Sequence, residues 1–316
     1  MPILLELYSR GIMQGCVKKI FNVVGDDARP ALLSMQKFVD TPISQAITEI
    51  LKTMPVAIHP SLRVNCLGRF RVFKGKEEIP AEHWRSRKAK MLFKLLAHLR
   101  SHGYVSKEVF MEHLWPEEDP EKTSKRFHVA LTTLRRVLEP NLERGQTSAY
   151  LKSDQDTYLL DLGKDGIVDL NAFDEACRKA NSTLDDTQSI RFLLEADRLY
   201  TGDFLEEDLY EPWCMQERDR VKALYLSVLA SIVDYFMHRR EIETAIKYCY
   251  NYLDIDAYAE DIYQNLMNLY ALSGNKPMVL KTYERCKDKI INDLGCPLSQ
   301  ESELLAVNLL QVLIPD

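Results

Sequence analysis

The stretch EKTSKRFHVALTTLRRVLEP, residues 121–140, decides how this chain is read, because its apolar and basic residues fall on opposite faces of one helix. Phe127, Leu131, Leu134 and Leu138 recur at helical spacing and form a stripe that must face a core. At about 100° per residue from Phe127, the opposite side carries Lys122, Lys125, Val129, Thr132 and Arg136, with His128 and Thr133 at its margins. Arg135 turns back toward the body of the domain. A face of this kind suits a DNA groove, and it equally suits plain solvated surface, so the flanking sequence has to decide.

Upstream, RSRKAKMLFKLLAHLRSHG (85–103) predicts a helix with Met91, Leu92, Leu95, Leu96 and Leu99 inside, basic residues at its start and Gly103 at its end. A shorter helix follows, with Ser106 as its cap and Val109, Phe110 and Leu114 buried. Trp115-Pro116 and the acidic loop 117–121 then break the pattern. Downstream, the β-rich runs 149–153 and 157–162 flank Asp154-Gln155-Asp156 and predict a hairpin, the wing of a winged helix. Ahead of the first helix, residues 62–79 alternate apolar Leu62, Val64, Phe70 and Val72 with polar or basic neighbours. Lys74-Gly75-Lys76 offers a tight turn there. The predicted order is sheet, three helices, wing.

Charge follows the same borders. The whole chain is acidic, with 41 Lys+Arg against 47 Asp+Glu, a balance that argues against nucleic-acid binding when taken as an average. Residues 62–163 nevertheless hold 19 basic and 14 acidic side chains, whereas 164–316 hold 16 and 28. The one strongly basic module contains the helix with the groove-like face, and the acidic remainder would repel DNA, which suggests a partner or regulatory face.

Beyond about residue 169 the pattern is helical in antiparallel pairs, over 171–181, 187–200, 212–238, 242–254, 258–273, 276–293 and 299–313. Tyr235 and Tyr270, Ala245 and Leu280, and Tyr248 and Tyr283 each stand 35 apart, close to the period of tetratricopeptide helical hairpins. Tyrosines are in excess here. Tyr225, Tyr235, Tyr248, Tyr250, Tyr252, Tyr258, Tyr263, Tyr270 and Tyr283 read first as inter-helix packing residues, with a minority left to line a groove for a peptide or helix.

LGRFRV (67–72), the SRKAKMLFKLL helix, HLWPEEDPEKTSKRFHVALTTLRRVLEP and a wing ending TYLLDL resemble the winged helix of bacterial response regulators, and together the N-terminal half of the SARP type of bacterial activator. YTGDFLEEDLYEPWCMQERDRV and the run LDIDAYAEDIYQNLMNLYALSGNKPMVLKTYERCKDKIINDLGCPLSQE resemble the bacterial transcriptional activator domain (BTAD) that follows it in that family. The resemblance implies a mainly α, multidomain chain. Its parts are a helical segment with a Pro-containing connector (1–60), a winged helix with an N-terminal antiparallel sheet and a C-terminal hairpin (61–163), and a TPR-like α-solenoid (164–316). It further implies a cytoplasmic transcription activator that binds direct repeats in duplex DNA as a dimer or side-by-side pair. The alternative is a protein-interaction scaffold whose winged helix no longer binds DNA.

On that reading His128, Thr132 and Thr133 reach base edges, Val129 meets a thymine methyl, and Lys122, Lys125 and Arg136 reach bases or phosphates. Arg85, Arg87 and Lys88 at the first helix, and Lys152 on the wing, are phosphate candidates that fix register. The loop bearing Glu117, Glu118 and Asp119 occupies the place that commonly touches RNA polymerase in response-regulator winged helices. An acidic turn capping the next helix is equally economical.

Residues 1–60 carry helical patterns over 3–9, 13–24, 31–39 and 43–52 before the connector 54–60. PILLELYSRGIMQGCVKKIFNVVG resembles the last hairpin of the sensor solenoid in maltose-regulator-type ATPase activators, which would make this chain the C-terminal part of a larger regulator; a small dimerisation or docking element is the other reading. Phosphate-cradling, dinucleotide-binding, zinc-protease and serine-hydrolase motifs are all missing, so no enzyme and no cofactor are expected. His98 and His102 have a metal-compatible spacing but fall at a helix end, where a histidine is electrostatically favoured, and no metal is expected. The seven cysteines form no C-x-x-C pair and read as buried thiols. No signal peptide or apolar run of membrane-spanning length is expected.

Overall fold

The computed structural model describes residues 2–12, 14–24, 32, 35–36, 39–53, 59–143 and 145–311. The helix expected over 31–39 and the connector expected over 54–60 lie largely outside these, as does the end of the last helix beyond 311. Two compact units divide the chain, 1–63 with 73–166 and 64–72 with 167–316.

In the first unit, α1 (Pro2–Ser9), α2 (Gln14–Val24) and α3 (Thr41–Thr53) pack on one another. Ala46, Ile47 and Ile50 share one face of α3 and close a small core with Leu5, Tyr8, Val17 and Leu32. Next in the chain come strands β1 (Leu62–Asn65) and β2 (Arg71–Lys74), each divided between the two units, and β3 (Glu77–Glu78), with Phe73 opposite Glu78 and Lys74 opposite Glu77 in an antiparallel hairpin. Gly75 turns that hairpin at φ 62°, and its N–H donates to the Ser61 carbonyl at 2.8 Å.

Helix α4 spans Arg87–Leu99 and begins two residues later than the apolar pattern suggests, because the Ser86 hydroxyl accepts from the Ala89 N–H at 3.2 Å and sets the N-cap. A 3-10 turn, Arg100–His102, carries it to Gly103 at φ 79°. Then come β4 (Val105–Ser106), α5 (Lys107–Leu114), α6 (Pro120–Leu138), β5 (Leu151–Asp154) and β6 (Thr157–Leu160). Ser106 stands at the N-cap of α5, yet its side chain makes no capping bond. It is a strand residue instead, paired with Thr157, and Asp156 takes the Lys107 N–H at 2.8 Å. The wing is therefore a three-stranded sheet of order β4-β6-β5, one strand more than the hairpin read from sequence.

In the second unit β7 (Ile167–Val168) lies next to β1, whose Val64 and Asn65 belong to the same unit. Helices α7 (Asp169–Ser182), α8 (Asp186–Leu199), α9 (Pro212–His238), α10 (Ile242–Ile255), α11 (Glu260–Leu272), α12 (Lys276–Lys287) and α13 (Gln300–Gln311) follow, with a π-helical turn Asp288–Asp293 extending α12. Sequence neighbours pack as antiparallel pairs, α7 with α8, α9 with α10, and α11 with α12. The true repeat is 34 residues. Arg240 at φ 59° and Gly274 at φ 70° close equivalent turns, in which Glu241 N–H bonds Phe236 O and Asn275 N–H bonds Tyr270 O. Ala245 and Val279, and Tyr248 and Thr282, are the buried pairs at that spacing, while Leu280 is exposed. The 35-residue alignment read from sequence is thus off by one position.

Helix α9 corrects another expectation. Its 27 residues are long enough, and at a mean hydropathy of 1.2 in the best window apolar enough, to meet the composition of a membrane span. Its apolar side chains Val221, Val228, Leu229, Ile232 and Val233 are buried against neighbouring helices, the origin of that composition.

The segment 66–68 is built into this unit. Both carboxylate oxygens of buried Asp169 accept from the Cys66 N–H, at 2.7 and 2.8 Å, and Oδ2 also accepts from Leu67 N–H at 3.0 Å. Leu205 N–H returns a bond to Cys66 O at 2.8 Å, and the Thr201 hydroxyl donates to Leu67 O. Gly68, at φ 92°, faces Gly202 so closely that a Cβ on Gly202 would stand 2.9 Å from Gly68 Cα.

Candidate nucleic-acid interface

Helix α6 is fixed at both ends by its own flanks. Asp119 Oδ1 accepts from the N–H groups of Glu121 and Lys122, at 3.0 and 3.1 Å, and Pro120 occupies the first turn. At the other end Lys74 Nζ donates to the Leu138 carbonyl at 2.8 Å. Glu139 accepts from the Ala149 N–H at 2.9 Å and from the Ser148 hydroxyl, tying the helix end to the entry of the wing. Inward, Thr123, Phe127, Ala130, Leu131, Leu134 and Leu138 are buried against α4 and α5, and the Phe127 ring lies 6.1 Å from Phe110 and 5.0 Å from Tyr158.

Outward, Lys122, Lys125, His128, Val129, Thr132 and Arg136 are exposed and Thr133 is half-buried. Val129, 66% exposed, is an apolar side chain with nothing over it. The Thr132 hydroxyl donates to His128 O at 2.8 Å and the Thr133 hydroxyl to Val129 O at 2.9 Å. With their protons spent on the helix, both present acceptor lone pairs and a methyl group outward. Arg135 is half-buried, its Nε out of solvent and without a hydrogen-bond partner among the described residues.

The remaining expected phosphate contacts are placed unequally. Arg85 and Arg87 are exposed around the start of α4. Lys88 is exposed too, but its ammonium donates to the Leu114 carbonyl at the end of α5 and lies 5.6 Å from the Trp115 ring. Lys152 lies on β5, its ammonium 3.4 Å from Ser148 O. In the acidic loop, Glu117 adopts φ 62°, Asp119 is the N-cap, and Glu118 forms an ion pair with Arg126. Sequence reading missed Arg126. Rows of i, i+4 and i+7 put Lys122, Arg126, Val129 and Thr133 in one line along α6, and that spacing would have found it.

His98 closes α4 and His102 the 3-10 turn, and no group of three His, Cys, Asp or Glu gathers at metal-binding distance among the described residues. In the second unit Tyr210 and Tyr258 are exposed, whereas several other tyrosines pack inside with their hydroxyls on protein partners. Tyr225 and Tyr248 both donate to Asp197, at 2.8 and 3.2 Å, Tyr263 donates to Ala257 O at 3.1 Å, and the Tyr250 and Tyr270 hydroxyls meet at 3.0 Å. A groove of about 350 Å³ between α8 and α9 is lined by Asp186, Ser189, Asp234, Tyr235, His238 and Arg239, among others.

The order of elements is a sheet, three helices and a wing, followed by stacked helical hairpins. Residues 168–310 match the family model of the bacterial transcriptional activator domain. Among solved structures, the fold is similar to Mycobacterium tuberculosis EmbR, determined in complex with a low-affinity phosphopeptide, at 17% identity and a TM-score of 0.61. The match covers 81% of this chain and 66% of EmbR, so the chain spans just under two thirds of that protein's length. No curated protein matches it in sequence. Residues 168–310 are thus similar to the bacterial transcriptional activator domain, and the fold is similar to that of EmbR.

Proposed function

We propose that this chain is a transcriptional regulator of the SARP type that binds duplex DNA with α6 in the major groove and acts as an activator. The observation that carries the reading is the division of α6 into a buried apolar face and an exposed one bearing Lys122, Lys125, Val129, Thr132 and Arg136. His128, Thr132 and Thr133 address base edges, Val129 a thymine methyl, and Arg85, Arg87 and Lys152 the phosphates. Lys88 supports α5 and contributes to DNA binding only by charge. Regulators of this type bind DNA, and direct promoter repeats occupied by a pair of chains, a cytoplasmic location and the three-part division 1–60, 61–163 and 164–316 belong to the same proposal. So does an origin as the C-terminal part of a larger ATPase-type regulator.

The helical domain is the partner surface in this reading, and RNA polymerase is its proposed target together with the loop at Glu117. Glu118 and Asp119 are engaged with α6, which leaves Glu117 as an exposed carboxylate of that loop with no ion pair among the described residues. Selecting bound sequences from genomic duplex DNA with the parent chain, and repeating it with Lys125→Glu/Arg136→Glu, tests the assignment. Enrichment of direct repeats by the parent and loss by the variant is the expected result. Undiminished binding by the variant would mean that α6 is not the recognition helix, and failure of the parent to bind duplex would move the function to the scaffold reading.

A further inference from the structure

We propose that Glu118 restrains Arg126 in the free protein and that duplex DNA takes Arg126 over, its guanidinium passing from the Glu118 carboxylate to a backbone phosphate. The inference rests on α6 being the DNA-facing helix and adds an element of control to it. Arg126 stands in line with Lys122, Val129 and Thr133, at the edge of the proposed groove face, where a long cationic side chain reaches the sugar–phosphate wall. In the free protein Glu118 pairs with it across eight residues of chain.

Glu118 is held for this task from both sides. Glu117 before it takes a left-handed φ of 62°, Asp119 after it is committed to the helix N-terminus, and its own N–H donates to Trp115 O at 3.4 Å. The two paired side chains are about half exposed, 52% for Arg126 and 41% for Glu118, so water screens the pair and it opens easily. A phosphate offers a planar guanidinium a bidentate partner and releases a condensed counterion. After the exchange Glu118 is left unpaired beside a polyanion. Its carboxylate therefore opposes every DNA contact that depends on phosphates alone, and its main effect falls on non-specific binding.

The test is a double-mutant cycle on a non-specific 30-bp duplex, titrated with the full chain at several salt concentrations. Glu118→Gln is expected to bind about three- to tenfold tighter than the parent, with the slope of log K against log salt steeper by up to about 0.9. Arg126→Ala is expected to bind more weakly, and in that background Glu118→Gln is expected to give no gain. Arg126→Lys, which keeps the charge, should retain most of it. Equal tightening by Glu118→Gln with arginine or alanine at 126 would overturn the proposal, because Glu118 would then act only as one charge among many. No effect of Glu118→Gln would overturn it as well. If the parent fails to bind duplex, the reading of α6 falls and takes this one with it. If the parent binds, Lys125→Glu/Arg136→Glu abolishes binding and Glu118→Gln is silent, this inference alone falls.

Discussion

Val129 and Tyr248 illustrate how differently single residues report on this protein. Val129 supports no packing, so Val129→Ala should leave stability within about 0.5 kcal/mol. Any loss of affinity confined to one base-pair position of the selected site then belongs to a DNA contact, and competition binding with single-base variants of that site measures it. Tyr248 belongs to the interior, where burial and the neighbouring Asp197 carboxylate push its phenol up to about 12, and Tyr225 is raised for the same two reasons. In the unfolded chain these phenols ionise near the ordinary tyrosine value of about 10. Above that pH the unfolded state binds fewer protons than the folded one, so their stabilisation is intact below about pH 10 and is lost as pH rises toward their folded values. Urea midpoints between pH 8 and 11 should fall, and Tyr248→Phe should flatten part of that fall; a parallel decline in the variant would assign it elsewhere. Composition revealed the tyrosine excess, but the pairing of two phenols on one carboxylate joins residues 28 and 51 positions apart and has no local signature.

Elements were legible where period and punctuation agreed. Both faces of α6 follow from its 3.6-residue period, and its start follows from Asp119-Pro120, an N-cap acceptor before a residue that needs no N–H. Asp119→Ala should cost about 1 kcal/mol, seen as a lower unfolding midpoint. Phe127→Ala, emptying the contact with Phe110 and Tyr158, should cost about 3–5 kcal/mol. A cost as small as that of Val129→Ala would mean that the inward face is wrongly assigned. Strand β4 escaped notice because two residues are too short for an alternation, and only pairing with β6 makes Val105–Ser106 a strand. The same pairing gave Ser106 a role other than the capping bond its residue type favours. Lys88 resembled the other basic residues at the start of α4 until the fold brought the Leu114 carbonyl to it.

At the scale of the whole molecule, residues 64–72 belong with a helical unit that otherwise begins about a hundred positions later. Asp169 fastens them, and Asp169→Ala leaves the Cys66 and Leu67 N–H groups buried without that acceptor, at a cost of about 1–3 kcal/mol for each unsatisfied group. Far-UV circular dichroism against urea should show the loss; an unchanged midpoint would mean that the segment is held by its other bonds alone. The sequence by itself determined the element order, the two faces of α6, the basic module within an acidic chain and the helical-hairpin character of the C-terminal half. Those follow from interactions between near neighbours in the chain, which leave a period or a cap behind. Only the tertiary structure decided the 34-residue register, the engagement of Arg126 by Glu118, the bond of Lys88 to the Leu114 carbonyl and the allegiance of residues 64–72. Each of these depends on which groups folding brings within hydrogen-bonding or packing distance, and a linear pattern carries no record of that.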